Sequence, residues 1–236
     1  MTDKTTTSAL DWGFITKELH SKGYCQVPRI LNAQQCEELI QLYGEPHLFR
    51  KTVKMERHLF GKGEYKYFDY PLPNIVQGLR VTLYPNLSSI ANTWMKALKT
   101  SMVYPDGHQV LQKQCSENGQ NQATPLLLKY GKGGFNTLHQ DIYGEVYFPI
   151  QAVFNLTEPG VDYTGGEFVL TQQIPRAQSK AIVMNPRKGD MILFATNFRP
   201  IKGTRGYYRA HMRHGVSEVH HGNRWTMGII FHDARG

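Results

Sequence analysis

The sequence predicts a mainly β protein with its helices placed first, and two observations carry that prediction. Up to about residue 124 the apolar residues recur at helical spacing, and from Pro125 onward they fall into short runs broken by glycine pairs. The runs LLLKY, YFPIQAVFNL, GGEFVLTQQ, AIVMNP, GDMILFAT and WTMGIIFHD read as strands of an antiparallel sandwich or barrel. Helices need an apolar sheet face to cover. Residues 1–124 therefore read as mainly helical support and residues 125–236 as the β core of one domain spanning 1–236, a size that suits a single core.

Taken in order, residues 2–8 are polar and Thr-rich and are expected to be disordered. Asp11 then opens a helix that carries Phe14, Ile15 and Leu19 on one face and ends at Gly23. Cys25-Gln26-Val27-Pro28 is a short extended piece. Asn32 caps a second helix from Ala33 to about Tyr43, with Cys36, Leu39, Ile40 and Tyr43 sharing a face. From His47 to Tyr70 bases alternate with aromatics, among them Arg50, Lys54, Arg57 and Lys62 with Phe60, Tyr65 and Tyr67. A third helix is expected over Pro73–Leu83 and a fourth over Ser88–Lys99, followed by a polar stretch, helical or looped, from Tyr104 to Thr124.

Composition narrows the class. With 40% hydrophobic and 11% aromatic residues the chain is globular rather than disordered or fibrous. Neither an apolar signal core nor a run of eighteen apolar residues is present, so a cytoplasmic protein without membrane contact is expected. Three cysteines at irregular spacing, Cys25, Cys36 and Cys115, suit buried thiols in a reducing compartment rather than disulfides or a thiolate zinc site. The net charge of +8 favours anionic partners, either nucleic acid or anionic small molecules.

His139-Gln140-Asp141 is the one His-x-Asp among ten histidines. Residues two apart on an extended backbone point to the same side, so an imidazole and a carboxylate there can grasp one ion together. His214 follows 214 − 139 = 75 residues later, and Arg224 ten residues after that. Two histidines and a carboxylate leave three positions open on octahedral iron(II), as needed for a chelating co-substrate and dioxygen. Zinc hydrolysis would want a basic glutamate near the metal, and no His-Glu-x-x-His is present.

Tyr130 before a Gly-rich turn, His139-x-Asp141, Gly165-Gly166-Glu167 opening a strand, and His214-Gly-Val…Val219-x-x-Gly222-x-Arg224-x-Thr226 together resemble the double-stranded β-helix dioxygenases that use iron(II) and 2-oxoglutarate. The resemblance covers about residues 125–234. Residues 62–236, with GEYKYFDYPLP and RHGVS…GIIFHDA, also resemble a prokaryotic branch grouped with oxygenases proposed to act on damaged DNA. It implies a jelly-roll, cupin-like core, with iron(II) on His139, Asp141 and His214. Arg224 is implied to pair the distal carboxylate of 2-oxoglutarate, and Tyr130 sits where a tyrosine often touches that co-substrate. A guanidinium gives a carboxylate two parallel charge-assisted hydrogen bonds, and Thr226, two residues on, can add a third. Asp141 separates the chain from related halogenases, which lack the carboxylate. The implied reaction consumes O2 and 2-oxoglutarate, releases succinate and CO2, and hydroxylates or oxidatively demethylates a substrate.

The substrate has two readings. Charge and the basic aromatic stretches 47–70 and 199–213, expected to lie at the site mouth, favour alkylated nucleic-acid bases. The known alkylated-base demethylases carry a second arginine six residues after the co-substrate arginine, where this chain has Ile230, which favours an amino acid, peptide or small metabolite. A non-enzymatic alternative is a cupin-like binding or sensory protein. Among the remaining candidates, Gly165-Gly166-Glu167 reads as a turn entering a strand and His220-His221 as a solvated hairpin turn. His211 belongs on the strand face opposite His214, and His232-Asp233 reads as a terminal hydrogen-bonded pair.

Overall fold

The computed structural model describes residues 10–236, so the Thr-rich start expected to be disordered lies outside the described residues. Among the described residues there are four α-helices, α1 (Trp12–Lys22), α2 (Ala33–Leu42), α3 (Asn74–Ala97) and α4 (His108–Glu117). The first strands in chain order are β1 (Tyr24–Val27), β2 (Phe49–Lys54), β3 (Gly61–Lys62), β4 (Glu64–Phe68), β5 (Gln120–Gln122), β6 (Leu126–Tyr130), β7 (Phe135–His139), β8 (Ile150–Asn155) and β9 (Tyr163–Gly165). The remainder are β10 (Phe168–Gln173), β11 (Lys180–Met184), β12 (Met191–Ala195), β13 (Phe198–Gly203), β14 (Gly206–Val216), β15 (Val219–Gly222), β16 (Arg224–Ile229) and β17 (Ala234–Arg235).

A large antiparallel sheet in the order β1-β12-β8-β16-β6-β4-β2 faces a smaller one in the order β11-β10-β14-β7-β3, with β13 paired to β14. This is the jelly-roll core that the sequence resemblance implied. The burial pattern explains the layering. All five residues of β12 are buried, because the large sheet meets the helices on one face and the small sheet on the other. β14 instead alternates buried and exposed residues, since the outer face of the small sheet is open to solvent.

The expected helix caps form. Asp11 accepts a hydrogen bond from the Phe14 amide, Gly23 closes α1 with φ 81°, and Asn32 and Gln35 make a reciprocal capping box on α2. Where two helices were expected between Pro73 and Lys99, α3 runs unbroken through Pro85. An internal proline costs about 3 kcal/mol. Val76, Leu79, Leu83, Leu87, Ile90 and Trp94 bury one stripe against the sheet, each contributing on the order of 1.5–3 kcal/mol, which outweighs it.

The 47–70 stretch holds two strands of the large sheet. β2 and β4 add to its edge beside β6, and the side chains between them alternate across it. Near the chain's last strand a charged network is buried: Arg80 on α3 donates to Asp233 Oδ1 at 2.6 Å and to the Ile230 and Phe231 carbonyls, and Tyr70 shares Asp233. His232 and Asp233 therefore do not pair with each other, contrary to the expectation. The His232 Nδ1 accepts from the Phe148 amide, and Asp233 binds Arg80 instead.

Candidate active site

β7 and β14 are neighbours in the small sheet, and their register sets His139 opposite His214, with ring centroids 4.2 Å apart. His139 ends β7, and Asp141 follows where the chain turns inward and becomes buried. The Nε2 of His139 lies 3.6 Å from Asp141 Oδ1, and the Nε2 of His214 lies 3.3 Å from Oδ2. One ligand atom from each of the three falls within 4.8 Å of the others. The Nδ1 of His139 donates to the Thr137 carbonyl at 2.7 Å, which leaves its Nε2 facing the shared space. A register shift just after His214, at Gly215, tucks that strand against Asn136, where a Cβ would lie 2.6 Å from the Asn136 carbonyl oxygen.

Burial, reinforced by neighbouring His139, pushes His214 below its ordinary value, against the pull of Asp141, and so favours the form in which a ring nitrogen can bind a metal. Burial pushes Asp141 up, but hydrogen bonding and charge from His214, the charge of His139 and the Tyr143 hydroxyl outweigh it and hold the carboxyl well below the usual range. Two imidazoles and a carboxylate are nitrogen and oxygen donors suited to iron(II), so the residues present fit that ion.

Arg224, Thr226 and Gly228 project from the middle strand of the large sheet into the same cavity of about 230 Å³ that the triad lines. Arg224 is 1% exposed, and among the described residues no carboxylate pairs with it; its Nε has no hydrogen-bond partner at all. Its guanidinium carbon sits 5.7 Å from the ring of Tyr130 and 5.9 Å from that of Tyr163. Tyr130, opposite Arg224 in the register, is fully buried, which raises its phenol to about 12. A buried cation without a counter-charge is costly, so the pocket fits an anion brought by a ligand. Thr226, two residues along β16, adds a hydroxyl at the same wall.

A family model described as an oxygenase catalysing oxidative methylation of damaged DNA, Oxygenase-NA, matches residues 63–234. The chain belongs to the Oxygenase-NA family. Two Mycobacterium tuberculosis proteins, uncharacterized protein MT2286 of strain CDC 1551 / Oshkosh and uncharacterized protein Rv2227 of strain ATCC 25618 / H37Rv, are each 44% identical over 167 residues. Those residues are 71% of this chain and 72% of each relative. Among solved structures, a 2OG-Fe(II) oxygenase family oxidoreductase from Burkholderia pseudomallei superposes with a TM-score of 0.56 at 13% identity, covering 96% of this chain and 93% of that one. A prolyl hydroxylase from Trichoplax adhaerens, solved with a hypoxia inducible factor peptide, gives 0.55 at 16% identity, covering 98% and 94%. These two show that the chain shares their fold.

All six residues singled out from the sequence line one cavity in this Oxygenase-NA protein. Asn136, Tyr143 and Gln151 also line it and were not anticipated; Tyr143 stands on the loop two residues after Asp141. Gly166 does more than turn the chain: at φ 65°, its missing Cβ leaves room for the Arg224 Cδ, which would otherwise lie 2.9 Å away. His211 is exposed on the face opposite His214, as expected, and His220 and His221 are exposed on β15. The stretch 199–213, expected at or near the mouth, contributes no wall to the cavity. Arg213 and His211 point to the outer face of the small sheet, and Arg199 is buried against Gln172 and α1, so no residue of that stretch lines the cavity.

Proposed function

We propose that this oxygenase depends on iron(II) and 2-oxoglutarate, with His139, Asp141 and His214 holding the metal and Arg224, aided by Thr226 and Tyr130, holding the co-substrate. One observation carries the reading: a buried, unpartnered guanidinium shares a small cavity with a two-histidine, one-carboxylate triad. Iron(II), when bound, supplies the activation of O2 coupled to oxidative decarboxylation of 2-oxoglutarate to succinate and CO2. The protein's part is positional. Arg224 orients the distal carboxylate through its planar pair of donors, the Leu126, Leu128 and Val153 side chains line the pocket and limit water, and burial lowers His214 toward the form that offers a lone pair.

The reading extends to an alkylated base of nucleic acid as substrate. Hydroxylating an N-methyl carbon gives an unstable hydroxymethyl group that leaves as formaldehyde. The family description supports this, and so does a finger formed by residues 55–63 between β2 and β4. The finger spans from the large sheet to the small one, where β3 pairs with β7, and Phe60 lines the cavity. His58 stacks on Phe60 with centroids 5.3 Å apart, Leu59 is 87% exposed, and Lys54, Arg57 and Lys62 are exposed around them. Stacking surfaces among cations suit a nucleic-acid strand. Hydroxylation of an amino acid, peptide or small metabolite is the second reading, favoured by Ile230. That residue is buried among Val53, Tyr67 and Leu126, with no arginine in its place. A cytoplasmic setting suits the three buried free cysteines, and no described helix is long and apolar enough to cross a membrane.

The test is succinate formation by iron-loaded protein with methylated oligonucleotides, amino acids and peptides in parallel. Formaldehyde released only with methylated oligonucleotides supports the first substrate, and turnover only of peptides or small molecules supports the second. No substrate-stimulated succinate, with no binding of 2-oxoglutarate, would return the chain to a cupin-like binding role.

A further inference from the structure

The three metal-binding side chains belong to the small sheet and the turn after it, yet the groups that fix Asp141 come from elsewhere. The Tyr143 hydroxyl contacts Oδ1 at 2.6 Å, and the Gln151 amide nitrogen on β8 contacts Oδ2 at 3.0 Å. Hydrogen-bond direction is forced at both. A carboxylate only accepts, so Tyr143 donates to it, and the Tyr143 oxygen is left to accept from the Tyr67 hydroxyl at 3.1 Å. The Gln151 Oε1 accepts from the Thr196 hydroxyl at 3.3 Å, which turns the amide's NH2 end toward Asp141. A flipped amide would set two acceptor oxygens against each other. The same nitrogen lies 3.5 Å from His214 Nε2, so it stands beside two of the three metal-binding atoms.

We propose that Tyr143 and Gln151 are positioning residues for the metal, each donating to one oxygen of Asp141 so that one oxygen faces His139 and the other His214. Resting on the iron(II) reading above, the assignment adds a consequence for the sheets. Through Gln151 and through Tyr67 on β4, the large sheet holds the carboxylate that completes a site built on the small one. With either donor missing, Asp141 gains a rotation about its own side chain and an oxygen without a hydrogen-bond donor, and metal affinity falls.

Co(II) serves as the probe, titrated by calorimetry into the full chain, with its visible absorption recorded. Tyr143→Phe and Gln151→Leu are each expected to weaken Co(II) binding by about 10- to 100-fold and to alter the Co(II) spectrum, while the metal-free variants still melt cooperatively. Tyr67→Phe leaves the Tyr143 donor in place and is expected to have the smaller effect. Wild-type protein that takes up no stoichiometric Co(II) would overturn the metal reading and this inference with it. Wild-type uptake, with both variants within about twofold of it and spectra unchanged, would overturn the inference alone. A Tyr67→Phe loss as large as that of Tyr143→Phe would place the effect in packing rather than in the bond to Asp141, and would also overturn it.

Discussion

Arg224 is where stability and ligand binding are expected to oppose each other. Its side chain is 1% exposed, its Nε lacks a partner, and the described residues offer its guanidinium no carboxylate. An unsatisfied buried polar group costs roughly 1–3 kcal/mol, more when charged. Arg224→Met replaces it with an apolar chain of similar length, so the ligand-free protein is expected to gain on the order of 1–3 kcal/mol, several degrees in Tm at about 2–4 °C per kcal/mol. The same variant is expected to lose 2-oxoglutarate binding. Arg224→Lys keeps the charge but presents a point donor, and losing the two-pronged fit is expected to weaken 2-oxoglutarate by about 1.5–3 kcal/mol, roughly ten- to a hundredfold. Calorimetric titration of 2-oxoglutarate into Co(II)-loaded protein measures affinity, and thermal melts of the metal-free variants measure stability. An Arg224→Lys variant with wild-type affinity would refute the anchor role, and an Arg224→Met variant that melts lower would refute the claim that this cation is held at a cost.

Single replacement of His139, Asp141 or His214 by Ala is expected to abolish iron-dependent succinate formation with the fold retained by circular dichroism; near wild-type turnover in any one would remove that residue from the ligand set. Burial holds His108 and His232 at about 3 against an ordinary 6.5. Between those values the unfolded chain binds their protons and the folded chain does not, so stability is expected to fall as pH drops from about 6.5 toward 3, by roughly 1.4 kcal/mol per pH unit for each. Urea midpoints measured across that range check this, and His232→Gln is expected to reduce the slope by about 1.4 kcal/mol per pH unit. If the finger holds a nucleic-acid strand, replacing Lys54, Arg57 and Lys62 with Ala is expected to flatten the salt dependence of oligonucleotide binding, by about 0.7–0.9 in slope for each phosphate no longer neutralised. Arg205→Ala with Arg209→Ala, away from the cavity, is expected to leave that slope unchanged; the reverse result would return the strand to the 199–213 side.

Much of the site was legible because its chemistry is local. Arg224-x-Thr226 uses the two-residue period of β16, while His139-x-Asp141 reaches the same cavity with only His139 on a strand and Asp141 on the loop after it. The cap residues Asp11, Asn32 and Gly23 were equally readable, since a cap is a bond between near neighbours in sequence. The unread parts depended on distant partners. α3 continues through Pro85 because the sheet rewards its buried stripe, the strands of 47–70 were masked by bases that decorate their exposed side, and β14 turned Arg213 outward with the same alternation that turned His214 in. Gln151 lies in an apolar run, YFPIQAVFNL, and only the approach of the small sheet gives it a role.

The position of β16 in the large sheet also bears on how the protein is made. Residues 224–229 fit between β8 and β6, strands synthesised some seventy to a hundred residues earlier, and pair with both. Until that segment leaves the ribosome, the middle of the large sheet has no strand to close it, and β6 and β8 hold open apolar edges that another chain could occupy. Pairings this remote in sequence form slowly. Since the closing strand also carries Arg224 and Thr226, a chain that stalls short of it lacks both its central sheet pairing and its anion pocket, so a partly folded form gains no protection from the co-substrate.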